Sequence, residues 1–574
     1  MTRRSANACV AAMLLAFSAS PAGGQDMPAV STLCAGQIVR RVEIRASPPP
    51  FAGTAQKWQA AARSVGLHHA TTQDGVIAAF LSLATGRPCN EYRRAESERV
   101  LRAQSFLADA TVGVEPDSGG TVAVIVRTVD EVPVRVGARF RGVSLQSMAL
   151  GNENVAGAAL RLEGRFERNG AYRTGFGGHV EADALFGRPY LFRLDADRFA
   201  VGHQVSAEFE HPIFTDLQHV SWHVGAVSRE NYLPFERPAN DPLVLQAHDQ
   251  NWDISGLLRI FGTHSVALLG GAVAGRRFDP AAAGVVMDST GLRADTGSAL
   301  TRRYTPFHAA RLGVTGGLRR VTFRSVDGFD ALVGSQDVPS GITVGLLAAH
   351  GLSAFGENDV FLSSALYAGA ATSRAWIGTL AEVEGRRDPA TATWNSVVGS
   401  ARTVLYMGGA PGAVLIIADE VSAGKDPRLP LQLTFRDPIG GLMGYRNSGL
   451  AGGRRNVIRG ELRFSGASVV RRADVGVATF GEAGTLWAGD APYGIDATRA
   501  SVGVSLLAAY PSRSKRLYRV DLAIPLTRGA NGGGSVEVRF SSADRTQGFW
   551  TEPSDVARAR TGTEPSKLFA WPTH

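Results

Sequence analysis

Cysteine is scarce in this chain, at three residues among 574. That excludes a disulfide-dense secreted scaffold and a cysteine-built metal array. Long hydrophobic runs are missing as well. The apolar stretch at residues 8–17 falls short of the roughly 18 residues that a spanning helix needs, and no other stretch reaches that length. No helical membrane span is expected. The 67 glycines follow no Gly-X-Y period, and Leu, Ile, Val and Phe are plentiful, so collagen and wholesale disorder are excluded. Positive charge is not concentrated anywhere. The net +8 comes from arginines scattered among apolar residues. Without a basic helix or zinc-finger spacing, nucleic acid is not an expected partner. The balance suits contact with anionic lipopolysaccharide or phospholipid headgroups better. Catalytic signatures are absent too: there is no G-x-S-x-G elbow, no H-E-x-x-H and no P-loop. His219 and His223 share a strand face, but two histidines lining a wet interior read as polar lining. No catalytic residue, metal or cofactor is expected.

The N-terminus carries Arg3 and Arg4, an apolar core at residues 10–17 and small residues at 19–24. This reads as a signal peptide over residues 1–24, so the chain is expected to be exported. Its removal takes Cys9 and leaves Cys34 and Cys89, which read as one disulfide in an oxidising compartment. Two separate buried thiols are the alternative.

Residues 25–132 are mixed in pattern. A strand is predicted at 38–44, followed by Pro48, Pro49 and Pro50 as a breaker and a short helix at 56–64. Val76, Ile77, Phe80, Leu81 and Leu83 predict a helix over 73–83, with Thr71 or Thr72 as its N-cap. A further helix is predicted at 91–102, then strands at 110–114 and 121–128 around a turn at 116–120. With 73–83 and 91–102 as the two main helices, the order is β-α-α-β-β, a small α+β domain.

Strand alternation takes over from residue 133. Leu160, Leu162 and Phe166 alternate with Arg161, Glu163, Arg165 and Glu167; Val536, Val538 and Phe540 alternate with Glu537 and Arg539. One face carries formal charges and must meet water, while the other is continuously apolar. Such segments, with no helices to cover them, predict a mainly β chain: a transmembrane antiparallel barrel of about 16 strands over residues 133–541. A polar tail, residues 542–574, follows and is expected to lie outside the barrel in the periplasm.

Several segments share a resemblance. Residues 96–102 (ESERVLR) and 106–112 (FLADATV), with the strand 122–130, look like a POTRA domain. Residues 151–157 and 210–214 resemble turns of the associated barrel. The most specific match is Gly440, Gly441, Leu442, Met443, Gly444 and Tyr445, followed by Gly449, Gly452 and the strand Glu461, Leu462, Arg463, Phe464. Phe480, Gly481, Glu482, Ala483 and Gly484 resemble a strand motif of the same family, and residues 519–526 its penultimate strand. Together they resemble the outer-membrane protein assembly superfamily, the BamA/TamA type of bacterial surface antigen barrel.

The resemblance implies a barrel in the bacterial outer membrane with one POTRA-like domain in the periplasm. It implies insertion or translocation of polypeptides, or of lipid. Expected partners are outer-membrane lipids, lipopolysaccharide, unfolded outer-membrane or secreted client polypeptides, and periplasmic accessory proteins. The alternatives are a passive pore with an inward plug loop and, last, a surface enzyme. It also implies that the segment Gly440 to Arg446 turns into the barrel, with Glu461, Arg463, Glu482 and Asp521 as wall partners. Three departures stand out: Met443 replaces the motif arginine, Glu482 replaces its aspartate, and the chain runs on past Phe540. Arg446 is expected to take over the missing arginine's role by pairing with Glu482 or Glu461.

Overall fold

The computed structural model describes residues 34–49, 70–141, 144–168, 174–199, 202–237, 243–262, 265–288, 291–295, 297, 299–408, 412–466, 473–527, 533–543 and 549–560. The proposed signal peptide and the helix expected at 56–64 lie outside the described residues.

The N-terminal part is a four-stranded sheet with two helices. In chain order these are β1 (Ala35–Ser47), α1 (Asp74–Ala79), β2 (Pro88–Asn90), α2 (Glu91–Ala103), β3 (Leu107–Pro116) and β4 (Val122–Asp130). The sheet order is β2-β1-β4-β3, with β1 and β4 parallel. Central β4 reads VAVIVRTVD, an almost unbroken apolar run, because both of its faces are covered. Helix α2 starts where Asn90 accepts the N–H of Arg93, and it places Glu91 in its first turn and Arg102 in its last, as the helix dipole favours. Helix α1 is shorter than its apolar spacing suggests, and neither Thr71 nor Thr72 caps it. Gln73 holds the cap position. Thr72 instead donates its hydroxyl and its N–H to Asp130 at 2.7 and 2.9 Å, a bond between segments distant in sequence that local pattern does not reveal.

Cys34 and Cys89 are joined, fastening the start of β1 to β2 between the two helices. The bridge closes a loop of 55 positions, which on the chain-entropy model contributes about 4 kcal/mol. Cys89→Ala is expected to make the N-terminal sheet far more sensitive to limited proteolysis. Equal digestion of variant and parent would show that the bridge contributes no stability.

Among the described residues, a closed antiparallel barrel of 20 strands follows, from Val134–Arg141 to Glu537–Ala543, rather than about 16. The undercount has a physical cause. Strands such as Val360–Ala371 (VFLSSALYAGAA) are built largely of small residues, so their alternation carries little hydrophobic contrast. Along each strand one face looks outward and is apolar: Leu258, Val314, Leu318 and Leu346 are among its most exposed side chains. The other face looks inward and carries Arg, Asp, Glu and His, buried and paired with one another.

The N-terminal sheet is docked on one mouth of the barrel. Arg102 makes a bidentate pair with Asp337 at 2.9 Å, Lys515 donates to the Arg102 and Gln104 carbonyls, and the Gln73 N–H donates to the Gly157 carbonyl. The linker between sheet and barrel is held as well. The Ser514 hydroxyl meets Glu131, and Arg516 donates to the Val132 carbonyl at 2.6 Å. Burial pushes the Glu131 carboxyl above the ordinary range, against the pull of Arg516.

Candidate functional site

The segment between strands Ala413–Lys425 and Arg454–Ser465 turns into the barrel. Its sequence makes an excursion into water unfavourable: Leu429, Leu431, Leu433, Phe435, Leu442, Tyr445 and Leu450 would all be exposed there, and all are buried. A two-residue ladder, Leu433–Thr434 with Ala451–Gly452, closes its neck. Inside, Leu442 and Tyr445 join Val457 and Leu486 of the wall in one apolar cluster. The Tyr445 hydroxyl donates to the Ala500 carbonyl at 2.8 Å and accepts the Thr527 N–H at 3.1 Å.

The glycines of the motif have a steric role. A Cβ on Gly441 would lie 2.2 Å from the Phe435 carbonyl oxygen and 2.5 Å from that of Asp437. Gly444 adopts φ +83, in the left-handed region. Because the obstruction at Gly441 is backbone, a side chain there cannot be relieved by a rotamer change. Gly441→Val is expected to loosen the loop at a cost of at least about 1–3 kcal/mol, read as new protease sites within residues 426–453. Gly460→Ala, where an added methyl meets nothing within 4 Å, is the neutral control. Equal behaviour of the two variants would overturn the packing argument.

The loop is held mainly through its backbone. The Met443 N–H donates to Glu482 at 2.9 Å and the Gly444 N–H to Glu537 at 2.9 Å. Arg459 donates from the wall to the carbonyls of Ile439, at 2.9 Å, and of Gly441. Arg446 does not pair with Glu482 or Glu461. It pairs with Glu537 on the last strand. Both expected partners are engaged elsewhere. Arg459 meets Glu482 at 3.3 Å, beside the Met443 N–H, and Glu461 is taken by arginines of the wall. It joins an ion chain: Glu461 meets Arg519 at 2.8 Å and Arg463 at 3.2 Å, and Arg519 meets Asp521. Arg463 reaches away from the loop, to the Phe329 and Asp330 carbonyls. Of the four expected wall partners, Glu482 is the one that receives a loop N–H. All but Arg463 line, with Gly441, Leu442, Met443 and Arg446, a cavity of about 470 Å³ between loop and wall.

Of the expected tail, the described residues 549–560 lie inside the barrel, which corrects for them the expectation of a place in the periplasm. Phe549 and Trp550 enter an aromatic pocket formed by Tyr367, Trp376 and Tyr406. Ring centroids lie 5.7 Å apart for Trp376 and Phe549, and 5.3 Å for Tyr367 and Trp550. Farther along, the short helix Ser554–Ala559 packs Val556 and Ala559 against the inward loop. Asp555 meets Arg455 at 2.6 Å and accepts the Thr434 N–H at 3.0 Å. Arg560 pairs with Glu552 at 2.6 Å and lies 3.9 Å from Glu384. A polar sequence suits a polar lumen as well as it suits water, so composition alone cannot separate the two.

Arg455 is the hub of this arrangement. It is 0% exposed and donates to Glu420, to the Thr434 carbonyl and to Asp555. Burial raises the Asp555 carboxyl to about 6, against the pull of Arg455. Burial acts on Asp437 in the same direction. There it is more than offset by Arg455, the Ser554 hydroxyl and the N–H groups of Gly440 and Ile439, which hold that carboxyl below the ordinary range.

Sequence reasoning missed Glu537, Arg459, Arg455 and Asp555. The first three sit at inward positions of alternating strands, a signal that marks the face but not the partner. His223 is buried between Glu210 and Asp253, at 3.2 and 3.5 Å, while His219 is met by Arg259.

No protein-family description matches the chain, and no curated protein is similar to it in sequence. Among solved structures it is similar to BamA from Haemophilus ducreyi lacking POTRA domains 1-3, with 11% identity over 88% of this chain and 84% of that one, at a TM-score of 0.32. It is similar to CdiB from Escherichia coli, with 13% identity over 88% and 76% of the two chains and a TM-score of 0.39. For CdiB from Acinetobacter baumannii the values are 8%, 88%, 74% and 0.38.

Proposed function

We propose that this protein sits in the bacterial outer membrane, with a POTRA-like N-terminal sheet in the periplasm, and inserts or translocates other polypeptides. The observation that carries this reading is the seam. Among the described residues, the last strand pairs with the first at two positions, Arg539 with Arg139 and Phe540 with Ala138. Each of these strands pairs with its other neighbour along its whole length, from Leu517 with Ala543 to Ala523 with Glu537 and from Val134 with Asn152 to Arg141 with Ser144. A seam this short leaves backbone N–H and C=O groups at both edges, the chemistry that accepts an incoming strand. The last strand, at 7 residues, is also the shortest of the 20 described wall strands, and the first, at 8, equals Leu160–Glu167 and Gly175–Ala182, against 21 for Phe307–Asp327.

The outward apolar face supports a membrane location, since a closed barrel satisfies its backbone internally. Lipids and lipopolysaccharide contact that face, unfolded client chains engage the seam and the N-terminal sheet, and accessory proteins deliver them. The reading needs no cofactor and no catalytic residue. Burial of the client in lipid supplies the driving force. The test is the outer-membrane proteome after deletion of the gene. Selective loss of particular barrel or surface proteins is the expected result. An unchanged proteome would favour the passive pore instead.

A further inference from the structure

The barrel wall carries an aromatic pocket and a buried guanidinium, and residues 549–560 of the chain itself occupy both. We propose that the lumen is a binding site for a polypeptide segment, with residues 549–560 as its resident ligand. A second polypeptide with an aromatic pair followed five positions later by a carboxylate takes the same site. This deepens the polypeptide-handling reading and rests on it for the nature of the incoming chain.

Three observations carry the inference. First, the aromatic pocket is built by the wall itself. The Tyr367 hydroxyl and the Trp376 indole N–H both donate to the Pro339 carbonyl, at 2.7 and 3.0 Å, and the Tyr406 hydroxyl donates to Asp330 at 2.7 Å. Each ring is thus anchored by a hydrogen bond to a group outside residues 549–560. Second, the carboxylate site is equally prepared. Glu420, at 3.1 Å, and the Thr434 carbonyl, at 2.8 Å, fix the Arg455 guanidinium, and its remaining donors point at Asp555. Third, the segment crosses the lumen without joining the wall. Its aromatic end touches Trp376 and its far end approaches Glu384, eight positions along one strand, or about 26 Å. Over that span the described residues form no ladder with any barrel strand. The segment is held by side chains and by a few bonds to its backbone, the way a bound peptide is held rather than a strand.

The site therefore reads two features of a ligand. The stacked rings select an aromatic pair and bury its apolar surface, and the Arg455 fork selects a carboxylate. Asp555 lies in the first turn of the short helix, so the start of that helix sets the spacing. Asp437 accepts from both the Ser554 hydroxyl and the Asp555 N–H, which fixes the start of that helix.

The test uses the full-length chain with a protease recognition sequence in place of residues 544–548. The protein is folded intact in detergent and then cut, so barrel and segment form together before they are separated. Unchanged heat-modifiable migration in gels confirms that the cut barrel stays folded. A fluorescein-labelled peptide of residues 546–562 is then added. Saturable uptake is expected after cutting, with affinity about tenfold or more weaker in the uncut protein. Peptides carrying Phe549→Ala with Trp550→Ala, or Asp555→Asn, are also expected to bind about tenfold more weakly. Absence of uptake by the folded, cut barrel would overturn the proposal, and so would equal uptake of a scrambled peptide. Peptide exchange is read without any client. Lost clients with no exchange remove this inference alone, whereas exchange with an unchanged proteome removes the assembly reading alone.

Discussion

Arg455→Ala is expected to destabilise the barrel by about 3–5 kcal/mol, because it strips the shared cation from two buried carboxylates. Arg455 is fully enclosed and bridges three parts of the molecule: Glu420 of the wall, the neck of the inward loop at Thr434, and Asp555 of the C-terminal segment. Alanine leaves Glu420 and Asp555 facing each other's field in a space with little water. Arg455→Lys keeps the charge but offers a single ammonium where a fork serves three acceptors, so an intermediate loss is expected. Combining Arg455→Ala with Glu420→Gln and Asp555→Asn should recover much of the loss, since the neutral amides remove the uncompensated charge. The temperature at which heat-modifiable migration disappears reads the whole series. A triple variant no more stable than Arg455→Ala would show that the charges are not coupled.

Locking the seam is expected to abolish client handling while leaving the barrel folded. Phe540 and Ala138 are register partners. Directly opposed antiparallel residues have Cα atoms about 4.5–5.5 Å apart, within the roughly 4.4–6.8 Å that a disulfide spans. Ala138→Cys with Phe540→Cys should therefore crosslink the first and last strands under oxidation. If clients enter through that edge, cells carrying the locked barrel show the proteome of the deletion strain, and a reductant restores the normal one. The control is a pair inside the continuous wall. Leu462 and Thr479 are register partners on adjoining strands, and bridging them should change nothing. A locked seam that still supports normal client levels would refute passage at that edge.

The N-terminal sheet was legible because its signals are local. The strand predicted at 38–44 is the centre of β1, the helix predicted at 91–102 is α2 to within one residue, and the turn at 116–120 separates β3 from β4. Helix α1 was overextended: Phe80 and Leu83 are buried as its spacing demands, yet they lie beyond its last turn. An apolar period reports burial, and a chain leaving a helix can bury side chains on the same side.

Within the barrel, alternation determined the essential chemistry, with Glu537, Arg459 and Glu461 turned inward and Leu462 and Phe464 outward. That follows from the two-residue period of a pleated strand, a property of the backbone that needs no tertiary information. The glycines and apolar residues of the segment around Leu442 and Tyr445 likewise marked a packed path rather than a solvated loop. Which inward group meets which is a different kind of fact. Arg446 meets Glu537, while Arg459 and the Met443 N–H occupy Glu482, an allocation that only the closed barrel sets. The C-terminal segment was hardest to read, since a polar lumen and bulk water accept the same composition. Tertiary structure alone decided its place, by closing 20 strands around a space whose aromatic pocket and Arg455 match Phe549, Trp550 and Asp555.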